Sequence, residues 1–87
     1  MIIALSLDLT TVRQIANCQP GWHSANDVAW TVAGDSYEGR SDVKRCLSEL
    51  HRSGEVERIF VLHNGNQMLV YDIDPQHLWR VLEGLEA

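Results

Sequence analysis

From Leu9 onward the apolar positions of this chain recur at helical spacing. Leu9, Val12, Ile15 and Ala16 fall on one face, the rhythm of an amphipathic helix with a period of 3.6 residues. Asp8 or Thr10 can cap its start, and Pro20-Gly21 breaks the run. Ser24 offers a second cap, after which Ala25, Val28 and Val32 form the apolar face of a short helix ending at Gly34. Asp35 to Gly39 reads as a turn. A third helix is expected from near Ser41, burying Val43, Leu47 and Leu50 and stopping at Ser53-Gly54. Residues 2 to 7 read as a short strand or an apolar lead-in.

The period then changes. Val56 to Leu62 and Gln67 to Ile73 are strand-like runs around Asn64-Gly65, a pair suited to a two-residue hairpin turn in which both positions need positive φ. Asp74-Pro75 is a helix start, with Asp as cap and Pro at the first helical position. Leu78, Val81, Leu82 and Leu85 continue it as an amphipathic stripe. No repeat or long linker interrupts residues 1–87, so one α+β domain is expected.

Three helices followed by a hairpin resemble the winged helix-turn-helix family. The resemblance covers about residues 9–73 and rests most on "DVKRCLSELHRSGEVERIFV" with the hairpin behind it. Leu47 and Leu50 supply the family's helical spacing, Gly54 the stop and Val56 the strand entry. The residues from 74 to 87 then form a C-terminal helix beyond the core match. The resemblance implies a DNA-binding transcriptional regulator whose third helix enters the major groove and whose hairpin is the wing. The same scaffold also serves as a protein-interaction module.

Charge sharpens the picture. The chain carries a net −5, yet residues 40 to 52 hold four basic and two acidic side chains, net +2, which leaves −7 for the rest. That balance disfavours loose, non-specific nucleic-acid binding, while a local cationic stripe remains. On the third helix Ser41, Arg45, Ser48 and Arg52 stand opposite the apolar face. Ser41, Lys44, Arg45 and Ser48 are the candidates for groove contacts, with Arg40 and Arg52 placed for phosphates. Two features pull the other way. Arg45 stands one turn from Glu49, a spacing that favours an ion pair, and Glu49 repels phosphate unless it accepts from a cytosine amine. The wing tip offers His63, Asn64, Asn66 and Gln67 as hydrogen-bonding groups but no cation.

Other chemistry finds no support. Four histidines and two cysteines show no metal-ligand spacing, no phosphate-binding loop or nucleophile motif occurs, and neither an enzyme nor a cofactor is expected. Cys18 and Cys46 read as reduced, structural thiols. The leading "MIIALSLDL" is too short to span a bilayer and lacks the basic start of a secretory signal. A cytoplasmic protein with no membrane partner is therefore expected.

An apolar surplus remains. Pairing about Asn64-Gly65 puts Phe60, Leu62, Leu69 and Tyr71 on one hairpin face and Ile59, Val61, Met68 and Val70 on the other. An antiparallel sheet needs only one buried face. The second calls for a cover, either the terminal helix or a second subunit. Trp30 projects away from the core of its helix, and Trp79 lies at the edge of the terminal stripe. Trp30, Trp79, Val81, Leu82 and Leu85 are thus the candidate homodimer interface. The leading expectation is a dimeric DNA-binding protein. Its rival is an adaptor, or an acidic inhibitor of a nucleic-acid-handling complex, that contacts protein and not DNA.

Overall fold

The structure, a computed structural model, describes residues 7–86. Asp8 starts helix α1 (Leu9–Ala16): its carboxylate accepts the Thr10 N–H at 3.1 Å and the Thr11 hydroxyl at 2.9 Å. The face carrying Val12, Ile15 and Ala16 is buried, as the spacing requires. The strand reading for residues 2 to 7 lies outside the described residues, apart from Leu7, which packs against the core.

After α1 the chain forms a strand that the sequence pattern does not show. Pro20-Gly21 reads only as a breaker, but Gly21, at φ 113°, turns the backbone into β1 (Gly21–Ser24). Ser24 closes that strand and opens α2 (Ala25–Ala33), its hydroxyl accepting the Asp27 N–H at 3.0 Å. The helix stops at Gly34, whose N–H donates to the Trp30 carbonyl at 2.9 Å.

The third helix begins earlier than its apolar spacing suggests. The Asp35–Gly39 stretch is not a turn as far as Gly39: Ser36 caps the Gly39 N–H at 2.9 Å, and α3 runs Tyr37–Arg52. Gly39 lets this happen at close quarters, because a Cβ there would lie 2.9 Å from the Cβ of Ala33 on α2. At the far end the Ser53-Gly54 stop is as expected, with Gly54 at φ 83° and the Glu55 N–H donating to the Leu50 carbonyl at 2.8 Å.

Strands β2 (Arg58–His63) and β3 (Asn66–Ile73) close around Asn64 and Gly65, both at positive φ. The sheet is antiparallel throughout, in the order β1-β3-β2, with Gly21↔Ile73 through Ser24↔Val70 on one side of β3 and Arg58↔Tyr71 through His63↔Asn66 on the other. Helix α4 (Pro75–Glu86) follows, Asp74 accepting the His77 N–H at 3.3 Å. Among the described residues the result is an α+β fold of four helices and a three-stranded sheet.

The core lies between the helices and one face of the sheet. Val12, Ile15, Val28, Val43, Leu47, Leu50, Tyr71, Ile73, Leu78 and Leu82 are all essentially solvent-free, and a side chain of this size contributes about 1.5–3 kcal/mol when fully buried. Helix α4 packs on α1 and is pinned by an Arg13–Glu86 ion pair and by His77 against Glu55 at 2.8 Å. Its main contact is therefore a helix, and the outer face of the sheet, with Trp22 and Ile59 exposed, has no cover of comparable extent among the described residues.

Candidate nucleic-acid interface

Helix α3 presents a buried stripe of Val43, Cys46, Leu47 and Leu50 and an exposed surface opposite. Ser41, Lys44, Arg45 and Arg52 are exposed, Arg40 and Ser48 half-buried. The six candidates thus lie along one helix, but their charges do not form a single strip. They divide between two flanks.

On one flank the arginines carry carboxylate partners. Arg45 pairs with Asp42, three residues back. Glu49 takes Arg52 at 3.0 Å. The Asp42 hydrogen bond and charge hold the Arg45 guanidinium above its ordinary pKa. Asp8, the cap of α1, joins this flank, so Asp8, Asp42 and Glu49 surround Arg45 and Cys46 in one shallow depression. Burial, followed by the charges of Asp8 and Glu49, pushes the Cys46 thiol up to about 12. A thiol held protonated in this way is inert. The carboxylates of this flank offset its arginine charge.

The other flank is different. The Arg40 guanidinium stacks over the Trp30 ring at 4.1 Å and donates to the Gly34 carbonyl at 2.7 Å, an arrangement that fixes it across the α2–α3 junction. Arg40 and Lys44 line a cleft with Trp30, Tyr37, Ser41 and Asn26; Asp27 is its acidic member. The cleft continues past Lys44 and Asn26 to Gln67, Met68 and Leu69 of β3. Lys44 makes no ion pair among the described residues. The sequence pattern does not single out Asn26 or Tyr37, and it places Gln67 only at the wing tip. Tyr37 falls within the expected turn, although it stands four residues before Ser41 and seven before Lys44, at helical spacing. Asn26 and Gln67 reach the cleft only through tertiary packing.

No family model, curated protein or solved structure matches the chain. The remaining candidates are therefore placed by geometry alone. His63, Asn64 and Asn66 are exposed at the hairpin tip. Arg58 is held back from it, donating to the Tyr71 hydroxyl at 3.4 Å with its guanidinium 5.8 Å from the Phe60 ring centre. Between base and tip the strand is apolar and open, with Phe60 62% and Leu62 73% exposed. Among the candidate interface residues, Trp30 is 52% and Trp79 38% exposed, while Val81 and Leu85 are half-buried. Leu82 needs correction. It is buried in the core of its own protomer beside Leu78 and has no surface to offer a partner.

Proposed function

We propose that this chain is a winged-helix DNA-binding protein that reads duplex DNA with the exposed surface of α3. The element order supports the reading: α1-β1-α2-α3-β2-β3, with β1 paired to β3, has two helices joined by a tight junction ahead of a hairpin. The observation that carries it is the α3 flank of Lys44, Ser41 and Arg40, which joins a free ammonium, a hydroxyl and a Trp-supported guanidinium on one side of a helix. A major groove admits such a helix, with phosphate contacts setting its position and base-edge contacts its sequence.

The paired arginines do not remove themselves from this role. Arg45 and Asp42 have side chains 67% and 53% exposed, and solvent screens exposed pairs of this kind so that they contribute little. A bidentate guanine contact, which offers the guanidinium two parallel acceptors, therefore competes with the internal pair. The hairpin plays a smaller part, because its tip has amides and an imidazole where a cation would be needed for strong minor-groove binding.

Selection from random duplexes at low salt tests the reading. The expected result is enrichment of a defined site. Lys44→Ala should lower affinity on all sequences and reduce the salt slope by about one, whereas Arg45→Ala should relax preference at one base pair. Absence of any enriched site removes the proposal. A second reading, a module that binds protein and not DNA, draws on a separate observation: the apolar, exposed β2 residues Phe60 and Leu62. Under that reading Lys44→Ala leaves every interaction of the protein unchanged.

A further inference from the structure

We propose that the outer edge of β2 pairs with the same edge of a second copy of this chain, joining the two sheets into one antiparallel sheet of six strands. The turn fixes which groups are available. His63↔Asn66 closes a two-residue turn, so His63, Val61 and Ile59 exchange backbone hydrogen bonds with β3, while Leu62, Phe60 and Arg58 alternate with them and aim their N–H and C=O groups outward. Among the described residues β2 pairs only with β3, leaving those groups without a ladder partner. Edge strands are ordinarily blunted by a charge, a proline or a bulge. Residues 59 to 62, Ile-Phe-Val-Leu, contain none of these.

The strand is complementary to itself. With a two-fold axis through Phe60, Phe60 faces Phe60 of the other copy, Arg58 faces Leu62, Ile59 faces Val61 and Glu57 faces His63. No like charges meet, and the end pairs set a carboxylate against an imidazole. This register uses every outward-aimed residue of β2. It also covers the side chains that β3 and the helices leave open: Ile59, Phe60 and Leu62 are 47%, 62% and 73% exposed. At about 200 Å² for a large side chain, these fractions leave roughly 350 Å² of apolar surface on one short strand. With the backbone edge and the flanking Glu57, Arg58 and His63, the pair reaches the lower end of the roughly 1,000 Å² that a specific interface buries. A dimer of this size dissociates on dilution. A two-fold axis normal to the sheet keeps both helical layers on the same side.

Sedimentation velocity across the micromolar to near-millimolar range, with hydrogen exchange on the same samples, tests the pairing. The mass should rise from one chain to two as concentration increases, and the Phe60 and Leu62 amides should gain protection in step. The Ile59 and Val61 amides, bonded to β3, should be protected at every concentration. Phe60→Lys should give a folded monomer. Leu62→Lys should weaken the dimer and Leu62→Glu should not, because each would face Arg58. A single-chain mass at all concentrations overturns the proposal, as does a dimer indifferent to Phe60→Lys. Equal effects of the two Leu62 variants overturn the register and the proposal with it. Protection of the Phe60 and Leu62 amides in the dilute monomer also overturns it, since the edge would then be covered within a single chain.

Discussion

Two glycines in helices should respond to the same substitution with opposite signs. In an unobstructed helix, Gly→Ala stabilises by about 1 kcal/mol, because glycine loses more backbone freedom on folding. A methyl group added at Gly84 of α4 would have nothing within 4 Å of its carbon, so Gly84→Ala should keep most of that gain, reduced by its place near the end of the helix. Gly39, in the first turn of α3, would set its methyl carbon 2.9 Å from Ala33 Cβ and 3.0 Å from Ser36 Oγ. Carbon pairs prefer about 3.5–4.0 Å. Ala33 Cβ is bonded to the backbone and cannot rotate away, so α2 and α3 must separate. Overpacking of this kind costs about 1–3 kcal/mol, and displacing Ser36 sacrifices part of a cap worth about 1 kcal/mol. After the propensity gain is subtracted, Gly39→Ala should destabilise by about 1–2 kcal/mol. Urea unfolding followed by tryptophan fluorescence measures both variants, the midpoint moving while the slope stays constant. In a domain of this size each kcal/mol corresponds to about 4–8 °C in Tm. Ala33→Gly in the Gly39→Ala background should restore part of the loss, giving a non-additive cycle. If Gly39→Ala matches or exceeds the wild type at an unchanged slope, the tight α2–α3 junction is refuted, and with it the reason assigned to Gly39.

Four further outcomes follow from the geometry. Cys18 is half-buried and should react with a thiol reagent in the native protein, whereas Cys46 should react only as the chain unfolds; kinetics in native buffer and in urea separate the two. The raised Cys46 pKa also makes stability depend on pH. Between the ordinary value of 9.0 and about 12 the unfolded thiol loses its proton while the folded one retains it, so its contribution is complete below pH 9 and is lost as pH rises toward 12; Cys46→Ala should flatten that part of the unfolding profile. Leu47→Ala should destabilise by about 2–5 kcal/mol, a large fraction of the stability of a small domain, measured as a fall in the urea midpoint. Asp42→Ala should change stability by less than about 1 kcal/mol yet tighten duplex binding in a fluorescence-anisotropy titration by releasing Arg45.

Local chemistry is legible in the chain, and contacts between distant segments are not. Ser24 and Gly34 bound α2, Asn64-Gly65 turns the hairpin, and Asp74-Pro75 opens α4, each because a single residue meets the need of its own backbone. The four residues of β1 offer too few positions for a period of two to emerge, and their partners lie far along the chain in β3. The first turn of α3 escapes the pattern because glycine is a poor helix former; at Gly39 the deciding factor is the space left by Ala33. The α3 candidates do share one helix, but pairing divides them. Arg45 has a carboxylate at i−3 and another at i+4, and spacing alone does not choose between them. Glu49 is held by Arg52, and Arg45 takes Asp42. The cleft that joins α3 to β3 depends on how the sheet brings Gln67 beside Asn26 and Lys44. No pattern within either segment reports that.

The ion pairs on α3 have a consequence for discrimination. Arg45 and Arg52 each carry an anionic partner on the same helix, so under the proposed function any contact with nucleic acid would be an exchange of one anion for another. A phosphate replaces a carboxylate at little net gain. The flat, two-pronged edge of a guanine offers a guanidinium a geometry that one carboxylate oxygen does not. If the proposed DNA reading holds, a helix so furnished would hold random DNA weakly and yield its internal partners to the matching base, with an affinity less dependent on salt than its count of arginines suggests.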